Sequence, residues 1–522
     1  MDVVVIGHGM VGSRFVDDLL ARTTEARVTV LGAEPYEPYN RVLLSDVVAG
    51  RTGVAAITLP APDDGRARVR RGVAAVAMDR RARTVLDDAG GAHRYDALVL
   101  ATGARARVPD LLGLSTGPGA GLPPGVHALR TLDDAREIVA AAANAPRTVV
   151  VGGGVLGVEA AQGLAARGLD VTLVHGAPGL MDRQLDAAAG AVLAGTLERA
   201  GVRPRTGARP SQVLLVDGHV VGVRLDGRTA TPGEVLPAGL VVLAAGAVPE
   251  TALAREAGLE TDRGVVVGHD LATGRDPRVF AIGDCAQPPD GSRGLVAEGW
   301  DHARRLADHL AALAHEPPAA WQNRLPGTWG RPSAALRLGA PLASRAAGSV
   351  GVRGTDVVTV KGLSVVAMGV CGARRAPDPA HRSVVLSDPA SGRHVEIVVA
   401  GDVLVGATCL GDAQVAADLT SAYTRRTPVP ADPAHLLLTS VTPHAAHASS
   451  PEHMPSDAVV CRCNTVTKGQ IADCCADGAT ELADVARATR ATTGCGSCTK
   501  AVCGILEWAR GGRAPALAAH GS

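Results

Sequence analysis

One pattern constrains this chain more than any other. An apolar run, Val3 to Ile6, ends in Gly7-His8-Gly9-Met10-Val11-Gly12, and the same order returns 145 residues later as Thr148 to Val151 and Gly152-Gly153-Gly154-Val155-Leu156-Gly157. Each loop leads into a helical run, to Arg22 and through Ala166, and then into a second apolar strand, Val28 to Leu31 and Asp170 to Val174. Strand, tight turn, helix and strand are what a dinucleotide site needs. The first glycine allows the turn, the second admits a pyrophosphate to the backbone amides, and the third lets helix and strand pack closely at a helix N-terminus that favours an anion. Gly7, Gly9 and Gly12 fill those roles in the first loop, and Gly152, Gly154 and Gly157 in the second. Glu34, 22 residues after Gly12, is placed to accept from a ribose hydroxyl. The second strand ends at His175 with neither an acid for NADH nor an arginine directly there for a 2′-phosphate, so NADH and NADPH both stay open.

With 522 residues the chain holds about three or four domains. Its 52 basic residues match 52 acidic ones and aromatics make up 2%, which removes both the charge and the stacking surface that nucleic acid binding needs. Of ten cysteines, only Cys285, Cys371 and Cys409 precede position 461, a distribution that suits an intracellular metal or redox site rather than a secreted disulfide scaffold. No basic leader precedes the first strand and no apolar run reaches the ~18 residues of a spanning helix, so a cytoplasmic chain without a membrane partner is expected.

Three strand ends add to the glycine loops. Ala97 to Leu100 enters Ala101-Thr102-Gly103, Leu240 to Leu243 enters Ala244-Ala245-Gly246, and Val279 to Ile282 enters Gly283-Asp284. Small residues there let backbone meet a cofactor. In this order the five signatures resemble the two-dinucleotide-binding-domain flavoprotein family over residues 1 to 320. The resemblance implies an α/β fold with two Rossmann-like domains, an FAD domain from residues 1–112 and 240–320 with an NAD(P)H domain, 113–239, inserted. It also implies that Gly7, Gly9, Gly12 and Glu34 hold the adenosine half of FAD, that Thr102 and Gly103 line its site and that Asp284 bonds its ribityl or pyrophosphate region. Gly152, Gly154 and Gly157 would hold the pyridine nucleotide, with Glu159 near its nicotinamide.

The stretch Tyr39-Asn40-Arg41-Val42-Leu43-Leu44-Ser45, where disulfide reductases of this superfamily carry redox cysteines, has none. Thiol chemistry at the flavin is therefore not expected. Another exit for electrons lies at Cys461-Arg462-Cys463 and Cys495-Gly496-Ser497-Cys498. Four thiolates from two short turns suit a tetrahedral zinc or a [2Fe-2S] cluster. The surrounding sequence, Val459 to Thr467 and Thr493 to Cys498, resembles the bacterioferritin-associated-ferredoxin-like [2Fe-2S] domain over residues 458–510, which implies the cluster on Cys461, Cys463, Cys495 and Cys498 in a small helical domain. Cys474, Cys475 and Cys503 read as packing thiols. Asp473, Asp477, Glu481 and Asp484 have spacings that place them on one helical face, a solvated face or a docking patch.

Residues 325–427 read as a small α+β domain and 428–457, rich in Pro, Ala, His and Ser, as a linker; its histidines, His435 to His453, are composition rather than a metal site. Val4 to Phe15, Tyr39 to Ser45, Leu180 to Asp186 and Val403 to Asp412 resemble NAD(P)H-dependent nitrite reductase large subunits and, equally, the electron-transfer subunit of assimilatory nitrate reductase. By that resemblance Asn40 and Arg41 lie along the FAD. The chain ends at Ser522, without the sirohaem module of the nitrite reductases, so nitrite reduction is not expected of it alone. The leading expectation is a reductase passing electrons from NADH or NADPH through FAD and a [2Fe-2S] cluster to a partner protein, above all an assimilatory nitrate reductase, with no acid-base catalytic side chain. Alternatives are a reductase of rubredoxin or ferredoxin, a flavin dehydrogenase subunit for an amino compound, or a flavin-binding sensor with a zinc-bound interaction domain. A homodimer stays open.

Overall fold

The computed structural model describes residues 1–60, 64–114, 121–315, 356–373, 375–437, 451–452, 454–461, 464, 466–494, 496 and 498–511. Strand Asp2–Ile6 sits inside a six-stranded sheet, with Arg27–Gly32 parallel on one side and Ala97–Leu100 parallel on the other; Val3 lies opposite both Val28 and Ala97. Ala67–Arg71 extends one edge, and Asp276–Ala281 followed by Ala272–Thr273 forms the other. Strands buried on both faces have no reason to alternate, which is why these read as unbroken apolar runs. Helices Met10–Leu20 and Val296–Ala314 pack against each other in this unit. The only two phenylalanines of the chain, Phe15 and Phe280, are fully buried in its core.

The second sheet runs Val202–Thr206, Asp170–His175, Arg147–Val151, Leu240–Leu243 and Val126–Ala128, all parallel. This corrects one expectation. Leu240–Leu243, assigned by sequence to the returning FAD segment, pairs Thr148 with Leu240 and belongs to the second sheet. The physical reason is the turn it supports. Gly152, at φ +118°, packs where a side chain would overlap the Ala244 carbonyl, just as Gly7, at φ +113°, packs on Ala101. The strand before Ala244 is therefore the structural counterpart of the strand before Ala101. The chain re-enters the first sheet only at Ala272. Between the sheets the outgoing Ala104–Ala106 and the returning Ala247–Pro249 run antiparallel as a two-stranded link.

The expected α+β unit is a five-stranded antiparallel sheet, Val358–Val360, Val365–Gly369, Val403–Leu410, Arg393–Ala400 and His381–Asp388, with helix Ala413–Arg425 on its core. Both ends of the expected linker are packed instead. Pro428 bridges Val403, Val429 N–H donates to the Asp402 carbonyl at 2.8 Å, and a 3-10 turn Pro433–Leu437 buries Leu437. At the other end Lys468 Nζ donates to the Met454 carbonyl at 2.7 Å. Residues 438–450, with most of the His-rich stretch, lie outside the described residues.

The C-terminal unit packs helices Lys468–Ala476, Leu482–Thr489 and Thr499–Gly511. Its acidic residues do not share one helical face. Gly478, at φ +110°, follows the end of the first helix, and Glu481 with Asp484 forms the capping box of the second. Among the described residues no helix is long and apolar enough to cross a membrane.

Candidate functional site

Beside the first glycine loop lies a cavity of about 1050 Å³. Its wall includes Gly7, Gly9, Glu34, Arg41, Thr102, Gly103 and Asp284, and at another point Val155, Leu156 and Glu159 from the helix that follows the second glycine loop. Both expected nucleotide units therefore face one space. Gly12 lies behind it, where a side chain would overlap the Gly7 carbonyl. Gly152, Gly154, Gly157 and Gly246 are not on this wall; Gly246 accepts the Arg107 N–H at 2.9 Å within the crossover. The second loop shapes its own turn, and only its helix reaches the cavity.

The wall has the donor set a dinucleotide requires. Glu34 accepts from the Tyr39 hydroxyl at 2.7 Å and pairs with Arg41. Arg41 also donates to the Arg130 carbonyl, and Arg130 Nη2 donates to Asp284 at 2.6 Å. Two guanidiniums on one wall, held in place by Glu34 and Asp284, bring there the positive charge that a pyrophosphate requires. Arg130 was not singled out by sequence, because it stands in no motif and reaches the wall through Asp284, 154 residues away. Thr102 donates to the Glu250 carbonyl at 2.8 Å, which ties the first strand end to the returning segment.

Glu159 is 3% exposed and its carboxylate is fully engaged. It accepts from the Ser45 hydroxyl at 2.6 Å and the Lys361 backbone N–H at 2.9 Å, and Lys361 Nζ stands 3.1 Å from it. The same ammonium donates to Ser45 Oγ at 2.8 Å and to the Val42 carbonyl. One lysine of the antiparallel sheet unit thus joins both nucleotide units at the cavity edge. Sequence reading missed it, although a signal existed: it is one of only three lysines.

The Asp284 turn is held by His302, whose Nδ1 accepts the Gly283 N–H at 3.3 Å. Burial, and after it the Arg305 guanidinium, holds this imidazole down at about 4. In the unfolded chain the ring takes a proton near pH 6.5, whereas the folded chain resists until about pH 4, so stability falls as pH drops through that interval. Between pH 7 and pH 5 the loss from this group is about 2 kcal/mol. His8, also lowered to about 4, acts with the same sign. His302→Asn keeps an acceptor without a basic ring. Urea unfolding of the variant at the two pH values should show this share of the acid sensitivity gone, and an unchanged difference counts against the assignment.

At the C-terminal unit Cys461 and Cys498 are buried together, and the Cys461 thiol is drawn down to about 6, first by its hydrogen bond with Cys498. A buried thiol shifted toward its thiolate, with a second buried thiol bonded to it, fits soft-metal ligation. Cys463 and Cys495 lie outside the described residues. Cys474 and Cys475 lie on helix Lys468–Ala476 and Cys503 on helix Thr499–Gly511. No described residue on the cavity wall is a cysteine; Cys285 is buried, with its thiol bonded to the Leu100 and Ile282 carbonyls.

The thiol pair is docked onto the cavity unit. Asn40, placed along the FAD by resemblance, is 1% exposed and absent from the cavity wall. Its Oδ1 caps the turn Arg41–Leu43 by accepting the Val42 N–H, and its amide nitrogen donates to the carbonyls of Thr493, at 2.7 Å, and Gly494. Arg14 donates to Asn464 at 2.7 Å, Asn464 Nδ2 faces Cys461 Sγ at 3.7 Å, and Asp17 pairs with Arg490. The turn that presents Arg41 and Val42 to the cavity therefore carries the cysteine loop on its other side.

Residues 1–307 match the pyridine nucleotide-disulphide oxidoreductase family and residues 459–508 the BFD-like [2Fe-2S] binding domain. A Bacillus subtilis protein named nitrite reductase [NAD(P)H] is 30% identical over 97% of this chain and 57% of its own length. The assimilatory nitrate reductase electron transfer subunit of the same organism is 28% identical over 97% of this chain and 59% of its own. The chain spans about half the length of the curated relatives it matches. The reductase in a solved putidaredoxin reductase–putidaredoxin complex shares the fold at a TM-score of 0.65 and 24% identity, over 84% of this chain and 96% of that one.

Proposed function

Since the chain belongs to the pyridine nucleotide-disulphide oxidoreductase family and carries a BFD-like [2Fe-2S] domain, we propose that it is the electron-entry unit for a protein acceptor, an assimilatory nitrate reductase. Its cofactors are FAD, NADH or NADPH, and a [2Fe-2S] cluster. When bound, the flavin takes two electrons as hydride and can release them singly to an iron-sulfur centre. The chain's own residues bind and orient. Gly7 and Gly9 would admit the pyrophosphate, Arg41 and Arg130 would bring positive charge beside it, Glu34 would accept from the ribose, and Asp284 would bond the ribityl or pyrophosphate region. Gly152, Gly154 and Gly157 would hold the pyridine nucleotide, with Glu159, fixed by Lys361 and Ser45, near its nicotinamide. Cys461, Cys463, Cys495 and Cys498 hold the irons.

The observation that carries this reading is the Asn40 contact, which holds the cysteine loop against the turn lining the cavity. A short separation is what electron transfer needs and what acid-base chemistry would not require. Asn40→Asp keeps the cap on Val42 but turns the donor toward Thr493 into an acceptor. Leaving a buried carbonyl unpaired costs about 1–3 kcal/mol, enough to loosen docking by about tenfold. Under anaerobic mixing with NADH or NADPH, flavin bleaching should keep its rate while cluster bleaching slows by about that factor. Equal rates in both phases would show that the contact is not on the route. Adding nitrate reductase to the reduced protein should return the cluster absorption; failure with it, but success with ferredoxin or rubredoxin, reassigns the partner.

A further inference from the structure

The residues after strand Asp170–His175 lie where the adenosine ribose of the second nucleotide sits in this topology. An NADH-selective site places a carboxylate there, which accepts from the 2′-hydroxyl and repels a 2′-phosphate. This chain has His175, Gly176, Ala177 and Pro178 instead. His175 is turned into the fold: Nδ1 accepts the Gly153 N–H at 3.2 Å, and Nε2 faces Asp182 at 3.6 Å.

A cation reaches the same place from another strand. Gly207 N–H donates to the Ala177 carbonyl at 2.8 Å, which fixes the turn between Val202–Thr206 and Ala208–Val216 beside this segment. Arg209 then crosses Gly176 so closely that a side chain at 176 would meet its Cγ and Nε at 2.8 Å. Its nearest like-charged neighbours in sequence are already engaged, Arg203 by Asp170 and Arg205 by Glu234. Arg209 is exposed and, among the described residues, makes no side-chain hydrogen bond or ion pair, not even with its cross-strand neighbour Asp226. A guanidinium with its fork unoccupied, beside a position stripped of both acid and side chain, suits a phosphate monoester.

We propose that Arg209 binds the 2′-phosphate of NADPH and makes NADPH the preferred reductant. The proposal rests on the reading of the second glycine loop as the pyridine nucleotide site. Calorimetric titration of the full chain with 2′,5′-ADP and with 5′-AMP tests it directly. The 2′-phosphorylated fragment should bind at least about tenfold more tightly, the scale of one hydrogen-bonded charge pair. Arg209→Gln should erase that difference while leaving 5′-AMP binding in place, and should lower kcat/KM for NADPH but not for NADH. Raising the salt concentration should narrow the wild-type difference, because the contact is exposed. Equal binding of the two fragments, or equal weakening of both in Arg209→Gln, overturns the proposal. Bleaching of the flavin by NADH alone overturns it too and leaves the electron-entry reading standing; bleaching by neither dinucleotide removes both.

Discussion

Cys461→Ser protein is expected to purify yellow but without iron, to be bleached by the pyridine nucleotide at the wild-type rate, and to pass almost nothing to a protein acceptor. The thiol it removes is buried, is drawn down to about 6 and shares a hydrogen bond with Cys498, so a serine hydroxyl at the same place offers no soft anion at neutral pH. The loss should exceed the roughly 100-fold that removing an outer partner costs a metal site. Cys474→Ser is the matched control: its thiol is raised, the opposite of a ligand's. Iron and acid-labile sulfide per chain, flavin absorbance and acceptor reduction are read on the same samples. Full iron content in Cys461→Ser would remove the cluster assignment from this cysteine set, and one zinc per wild-type chain in place of two irons would remove the electron exit.

The second large effect is expected at Gly12. A side chain there would overlap the Gly7 carbonyl, which belongs to the turn proposed to open the backbone to the pyrophosphate. Gly12→Val must move either the helix or the turn. At about 3 kcal/mol for such overpacking, FAD affinity should fall about 100-fold, and the purified protein should be nearly colourless. Gly53→Ala, where a side chain meets nothing within 4 Å, should keep its flavin. Stoichiometric FAD in Gly12→Val would show that the flavin is held elsewhere.

These two predictions draw on features that sequence makes legible, and others do not share that origin. The glycine turns are legible because they are local. A backbone at φ +113° and a helix packed onto the preceding turn impose residue types within six positions, so Gly7-x-Gly9-x-x-Gly12 carries its own geometry. Apolar runs gave the sheet cores for the same reason. Which sheet a run joins is another matter: Leu240–Leu243 and Ala97–Leu100 are equally apolar, and only pairing beside Arg147–Val151 separates them. Pro and Ala composition predicts a longer linker than the fold leaves, because it says nothing of Leu437 finding a pocket on the adjoining sheet.

By itself the sequence determined that two nucleotide loops and one cysteine cluster share this chain, since each is written in consecutive residues whose backbone sterics or ligand chemistry admit few substitutes. The tertiary structure alone decided what connects them. Asn40 meets Thr493 across 453 positions, Lys361 meets Ser45 across 316, and Arg130 meets Asp284 across 154. A hydrogen bond is fixed by distance and direction in space, and no local pattern encodes a partner that the fold brings from another unit. That is why Asn40 reads as a flavin contact in sequence and stands, in the folded chain, as the residue that holds the cysteine loop to the cavity.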